Sequence, residues 1–147
     1  MAGYSGRPQA AKLGLKDGQR VLLVNRPEGW LLSSPPDGVE LIEADTVGTA
    51  DTVGTGSTPD GADVVIAFFT VAAEIAEALE ALGKRIFPAG ALWLAWPRRA
   101  AGHPSDITDN VIRDVALPLG LVDVKVAAID EDWSGLKLVW RVENRRL

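Results

Sequence analysis

Apolar residues in this chain occur in two kinds of run. Gln19–Asn25, Ala62–Phe69 and Ala91–Trp96 hold short, nearly unbroken apolar stretches (VLLV, VVIAFF, ALWLAW) bounded by Gly, Pro, Asp or Thr. Such runs predict strands buried on both faces, as in a parallel sheet covered by other layers. Val39–Ala44 (VELIEA) is more polar and reads as another strand, second in the chain. In two further segments the apolar positions recur every three or four residues. Val71, Ile75, Leu79, Leu82 and Ile86 predict a helix over Val71–Arg85, capped by Thr70, with Glu74, Glu77 and Glu80 on another face. Ile107, Val111, Val115 and Leu119, widened by Ile112 and Ala116, predict a helix over Ile107–Leu117, capped by Ser105 or Asp106 and ended by Pro118 and Gly120.

Leu121–Ile129 and Gly135–Val142 complete the set as a fifth and a sixth strand. The turn Asp130–Ser134 between them is too short for a crossover, so they pair antiparallel. Strand–helix alternation followed by a hairpin predicts a single α/β domain, a three-layer Rossmann-like sandwich of six strands, mostly parallel. The expected order is 2-1-3-4-6-5, one of those that right-handed crossovers allow.

The connections differ in character. Residues 1–18 form a polar N-terminal arm, in which Pro8–Leu13 has the features of a short helix. Ser34-Pro35-Pro36-Asp37-Gly38 is a strong turn. Ala44–Thr49 (ADTVGT) is repeated without change as Ala50–Thr55, and the segment 44–61 is rich in Gly, Thr and Asp. A flexible loop is expected there, as a tolerated insertion rather than a functional lid.

Composition narrows the chemistry. With no cysteine, disulfides, thiolate metal sites and cysteine nucleophiles are excluded. The net charge of −5 and the short, scattered basic pairs argue against a nucleic-acid partner. No apolar run approaches the ~20 residues of a membrane-spanning helix. The N-terminal residues hold no apolar secretion signal. A cytoplasmic setting is therefore expected.

Leu82–Trp96, where a helix ends, Pro88-Ala89-Gly90 turns and an apolar strand follows, resembles the late core of class I methyltransferases. The closing hairpin is similar to theirs as well. By that resemblance the loop 44–61 replaces one middle strand, and Glu40 or Glu43 stands where an acidic residue holds a ribose. The cofactor loop is missing, because the first strand runs into Arg26-Pro27-Glu28-Gly29-Trp30. Closely spaced glycines would be needed there, and Pro27 supplies no N–H. The whole chain also resembles a family of small bacterial proteins of unknown function. That likeness rests on Gly3-Tyr4-Ser5, Lys12-Leu13-Gly14, Leu92-Trp93-Leu94-Ala95-Trp96-Pro97 and Trp133-Ser134-Gly135-Leu136-Lys137. It implies an α/β fold and a cytoplasmic setting, and carries over no catalytic residue.

Two constellations stand out. The loop after the fourth strand brings Arg98, Arg99 and His103 to Ser105 and Asp106 at a helix start. A phosphate- or carboxylate-bearing ligand suits such a place; the competing reading is a surface loop whose arginines pair with Asp106 or Asp109. Trp30, Trp96 and Trp133 fall near strand ends or turns, either exposed as an interaction surface or closing off the ends of the core. Trp93 and Trp140 are assigned to the core or the underside of a helix. No catalytic set, metal site or cofactor is expected. The leading reading is a non-catalytic binding or interaction module; the alternative is an enzyme or sensor for a small anionic ligand. A protein partner or a second copy, docking through exposed indoles or the edge of the terminal hairpin, fits the first.

Overall fold

The computed structural model describes residues 13–27, 30, 32, 37–44, 62–86, 90–98, 106–130 and 132–141. Along the chain come β1 (Arg20–Val24), β2 (Glu40–Ala44), β3 (Val64–Phe68), α1 (Ala72–Ile86), β4 (Ala91–Pro97), α2 (Asp109–Leu119), β5 (Leu121–Ala128) and β6 (Trp133–Trp140). The strands form one sheet in the order β2-β1-β3-β4-β6-β5. The first four are parallel, and β6 runs antiparallel to both β4 and β5. The order and the closing hairpin agree with the sequence pattern.

Side-chain alternation splits the core into two faces. Leu22, Val24, Val65, Ala67, Leu92, Leu94, Trp96, Leu136 and Leu138 lie on the face covered by α1 and α2. Val21, Leu23, Val64, Ile66, Phe68, Trp93 and Ala95 lie on the other. There the covering layer, among the described residues, is made of connecting segments: Leu13, Leu15, Trp30 and Leu32, with Ile129 from the hairpin. The end of the N-terminal arm is thus part of the core. The fully buried Trp93 confirms this by donating its indole N–H to the Leu13 carbonyl at 3.0 Å. The rest of the arm, including Pro8–Lys12, and residues 45–61 with most of the duplicated hexapeptide lie outside the described residues.

The helices differ from expectation at their starts. Val71 is 44% exposed and precedes α1, whose buried positions are Ile75, Leu79, Leu82, Gly83 and Ile86. The Ala72 N–H is met by the Asp106 carboxylate at 2.9 Å, an acceptor from a distant segment. With Asp106 engaged there, α2 is capped by Thr108, in extended backbone (φ −134°, ψ 167°), whose Oγ1 accepts from the Val111 N–H at 3.2 Å. Its buried line runs from Ile107 through Ile112 and Ala116, with Val111, Val115 and Leu119 half-buried. Pro118 falls within the last turn rather than ending it. Gly120, at φ 100°, closes α2 by donating to the Ala116 and Leu117 carbonyls.

Close approaches fix the layers. Trp140 packs on α1 and donates its indole N–H to the Gly83 carbonyl at 2.9 Å. Gly90 sits where a Cβ would come within 2.8 Å of the Asp63 carbonyl oxygen and 2.9 Å of that of Ala62. In β6, a Cβ at Gly135 would lie 2.8 Å from the Ile129 side chain and 3.0 Å from the Trp93 ring.

Candidate functional site

Parallel α/β sheets place ligands in the crevice beyond the C-terminal ends of their strands. In this chain that rim is formed by Asn25 after β1, Glu43 in β2, Phe68 at the end of β3 and Arg98 after β4. The hairpin turn and the start of β6 lie at the same end, because Pro97 pairs with Trp133.

The first turn is built without glycine at Asn25, Arg26 and Pro27. Asn25 adopts φ 58°, a left-handed conformation that asparagine tolerates better than most residues. Its side-chain amide donates to the Phe68 carbonyl at 3.3 Å. Arg26 turns back over the rim. One of its terminal nitrogens donates to the Trp30 carbonyl. Its Nε lies 3.0 Å from Glu43 Oε1, an ion pair in which the N–H is not aligned for a hydrogen bond.

Trp30 closes the crevice. It is 8% exposed and meets Phe68 edge-on, with ring centroids 4.9 Å apart at 65°. Phe68 meets Trp133 in the same manner on its other side, at 5.0 Å and 87°. The Trp30 indole N–H donates to Asp130 Oδ2 at 2.7 Å. The second oxygen of that carboxylate accepts from the backbone N–H groups of Asp132 at 2.8 Å and Trp133 at 2.9 Å. Asp130 is therefore the joint between the first turn and the hairpin. Arg98 joins the same group: its backbone N–H donates to the Asp132 carbonyl at 2.8 Å and its guanidinium to the Asp130 carbonyl at 3.4 Å.

The structure brings part of the two sequence constellations together. Arg98 is tied to the hairpin turn, and Asp106 to the start of α1. Arg99, His103 and Ser105 lie outside the described residues. Trp30 and Trp96 are buried on opposite faces of the sheet, and Trp133 is half-buried against Phe68. Asn25, Phe68 and Asp130 were not singled out in the sequence, and Arg26 stood out only as part of the glycine-poor turn. A signal for Asp130 was present, since an Asp beginning a short hairpin turn commonly accepts from N–H groups two or three residues on.

Perturbed ionisation lies away from this rim. Arg113 of α2 donates to Asp123 of β5 at 2.8 Å and to Asp109 at 3.0 Å. The hydrogen bond from Arg113 holds the Asp123 carboxyl below its ordinary range, and the same bond raises Arg113. Among the described residues no cluster of three metal-ligating side chains occurs, and no helix is long and apolar enough to cross a membrane.

No family model matches the chain, and a search of curated proteins finds no match. Solved structures do match. One is a TehB-like SAM-dependent methyltransferase from Corynebacterium glutamicum (TM-score 0.59, 10% identity, 91% of this chain and 88% of that one). Another is a SAM-dependent methyltransferase from Aquifex aeolicus (TM-score 0.55, 14% identity, 87% and 85% covered). The chain has a class I methyltransferase-like fold. A possible exported protein from Bordetella parapertussis shares the architecture (TM-score 0.55, 16% identity, 88% of this chain), and the present chain spans 64% of its length. At these identities the likeness is one of fold.

The residues at the rim of this methyltransferase-like fold do not fit adenosylmethionine. The turn leaving β1 carries Asn25, Arg26 and Pro27 where small residues would let a ligand approach the backbone. Of the two β2 carboxylates that the resemblance sets at a ribose position, Glu43 faces the Arg26 guanidinium and Glu40 pairs with Arg20. The space over Phe68 is taken by the Trp30 indole.

Proposed function

We propose that the chain is a non-catalytic binding or interaction module, cytoplasmic in setting, on a methyltransferase-like scaffold whose cofactor crevice is filled by its own side chains. The observation that carries this reading is the Trp30 indole, buried over Phe68 and fastened to Asp130, with Arg26 set against Glu43 beside it. A guanidinium paired with the ribose-binding position and a ring over the strand end leave the cofactor neither its acceptor nor its volume. Titration calorimetry with adenosylmethionine and with adenosylhomocysteine tests the reading. No heat of binding is expected at millimolar ligand; micromolar affinity for either would overturn it.

The anion-site alternative draws less support. Arg98 is engaged by the hairpin turn, and Asp106 carries a negative charge while capping α1. A thermal-shift screen of phosphates and carboxylates should give no rise in Tm; a rise abolished by Arg98→Ala would restore that reading. For the partner of such a module we favour a second copy. β5 is the last strand of the sheet, with Val124 and Val126 more than half exposed. Its pairing with β6 is regular on both sides of a bulge between Asp123 and Lys125. Light scattering over a concentration series should show a dimer, and a monomer throughout would remove this part.

A further inference from the structure

At the end of the sheet away from the rim, two exposed turns carry the same dipeptide: Asp17-Gly18 before β1 and Asp37-Gly38 before β2. The third such pair, Asp60-Gly61, lies outside the described residues. In an Asp-Gly pair the glycine has no side chain to shield its peptide nitrogen, and its free backbone lets that nitrogen approach the carboxyl carbon of the aspartate. Both glycines are left-handed, with φ 77° at Gly18 and 73° at Gly38. The turns also touch, since a Cβ at Gly38 would lie 3.5 Å from the Cα and the nitrogen of Gly18.

Their hydrogen bonds differ. The first turn is closed twice, by the Gln19 N–H to the Lys16 carbonyl at 3.3 Å and by the Lys16 N–H to Gln19 Oε1 at 2.8 Å. Its Gly18 N–H is itself engaged, donating to the Asp37 carbonyl at 2.9 Å. In the second turn, among the described residues, the Gly38 N–H meets no acceptor and the Asp37 carboxylate no donor. A nitrogen whose proton is committed to a carbonyl is fixed in direction, and turning it toward its own aspartate breaks that bond. Gly38 has no such bond to break.

We propose that Asp37-Gly38 is a site of spontaneous backbone modification, through an internal imide that reopens to a β-linked (isoaspartyl) peptide, and that the fold protects Asp17-Gly18 from the same reaction. The Gly38 nitrogen bonds to the side-chain carboxyl carbon of Asp37. Its proton and the hydroxyl of the protonated carboxyl leave together as water. A water molecule then opens the ring at either carbonyl. Opening at the side-chain carbon restores aspartate. Opening at the main-chain carbon leaves the chain running through the Asp37 side chain and frees the main-chain carbonyl as a carboxylate. Nothing is oxidised or reduced, and no co-reactant besides water enters.

The consequence falls on β2, which ends the sheet. The Asp37 carbonyl receives the Gly18 N–H, and the next bond along is from the Glu40 N–H to the Gln19 carbonyl at 2.9 Å. That second bond starts the register in which Glu40 faces Arg20. The modified chain has an extra backbone carbon between the two bonds, so they no longer fit together. An edge strand has one neighbour to hold it, and β2 loosens first.

The test incubates the full chain in heavy-oxygen water at neutral pH, once native and once unfolded in urea. Each passage through the imide installs one heavy oxygen, read by mass spectrometry in the peptides that hold Asp17 and Asp37. Dividing the native rate by the urea rate at each position removes the effect of neighbouring sequence. The ratio should be several-fold higher at Asp37 than at Asp17, and a β-linked isomer of the Asp37 peptide should accumulate in the native sample. The modified chain, once isolated, should exchange the Glu40 amide hydrogen faster than the unmodified one. Equal ratios at the two positions, or no label at Asp37 in the native chain while the urea sample takes it up, overturn the proposal. Unchanged exchange at Glu40 in the modified chain refutes the effect on β2.

Discussion

The joint at Asp130 can be broken on one side only. In Asp130→Asn the side-chain oxygen can keep the Asp132 and Trp133 N–H groups, at 2.8 and 2.9 Å, and so preserve the hairpin turn. The amide nitrogen then faces the Trp30 indole nitrogen, 2.7 Å away in the native arrangement, donor against donor. A hydrogen bond to a charged group contributes about 1.5–3 kcal/mol, and burial keeps water from replacing it. The expected loss is about 2 kcal/mol, which for a domain of this size lowers Tm by about 4–8 °C. Trp30→Phe keeps an edge contact with Phe68 and removes the N–H. In that background Asp130→Asn should cost little, so the double-mutant cycle should give a coupling of at least about 1 kcal/mol. Urea unfolding followed by far-ultraviolet circular dichroism is the suitable assay, because tryptophan fluorescence changes with the Trp30 substitution itself. A coupling below about 0.3 kcal/mol would refute the reasoning and leave Asp130 as a residue of the hairpin turn alone.

Other expectations follow from packing and charge. Gly90→Ala should destabilise by about 3 kcal/mol, because the added methyl would meet the carbonyl oxygens of Asp63, Ala62 and Ile86 at 2.8–3.0 Å and backbone cannot rotate away; an unchanged urea midpoint would show that the turn has room. Gly135→Ala should cost about 1–3 kcal/mol, since the methyl would press on the Ile129 side chain and the Trp93 ring. Ile129→Val, which removes the Cδ1 atom at 2.8 Å, should restore part of that loss, and no restoration would place the strain elsewhere. The lowered Asp123 carboxyl contributes stability that is complete above the ordinary carboxylate value of about 3.9 and is lost as pH falls through the lowered one. Asp123→Asn should therefore reduce the fall in the urea midpoint on acidification below about pH 4, and an identical acid limb in both chains would deny Asp123 that role.

Much of the framework was legible because it depends on local rules. The four residues between β5 and β6 forbid a crossover, and that alone sets the antiparallel hairpin. The unbroken apolar runs of β1, β3 and β4 are buried on both faces because both sheet faces are covered. The cap of α2 was misplaced for an equally physical reason. Ser105 or Asp106 was a sound local choice, but the Asp106 carboxylate meets the Ala72 N–H, 34 residues away in sequence, and Thr108 takes the local role. Val71 fits the helical stripe by spacing and still lies outside it, because α1 begins at the residue that Asp106 holds.

The sequence by itself determined which segments become strands and helices, the antiparallel closing hairpin, and the absence of a glycine turn after β1. Those properties follow from hydrophobic period, connection length and the backbone limits of proline and glycine, all of which act between near neighbours. Only the tertiary structure decided what fills the rim: that Trp30 lies on Phe68, that Asp130 receives its N–H from 100 residues away, and that Arg26 meets Glu43. Such contacts join positions with no common period or spacing, and they come into being only when the sheet sets the ends of its strands side by side.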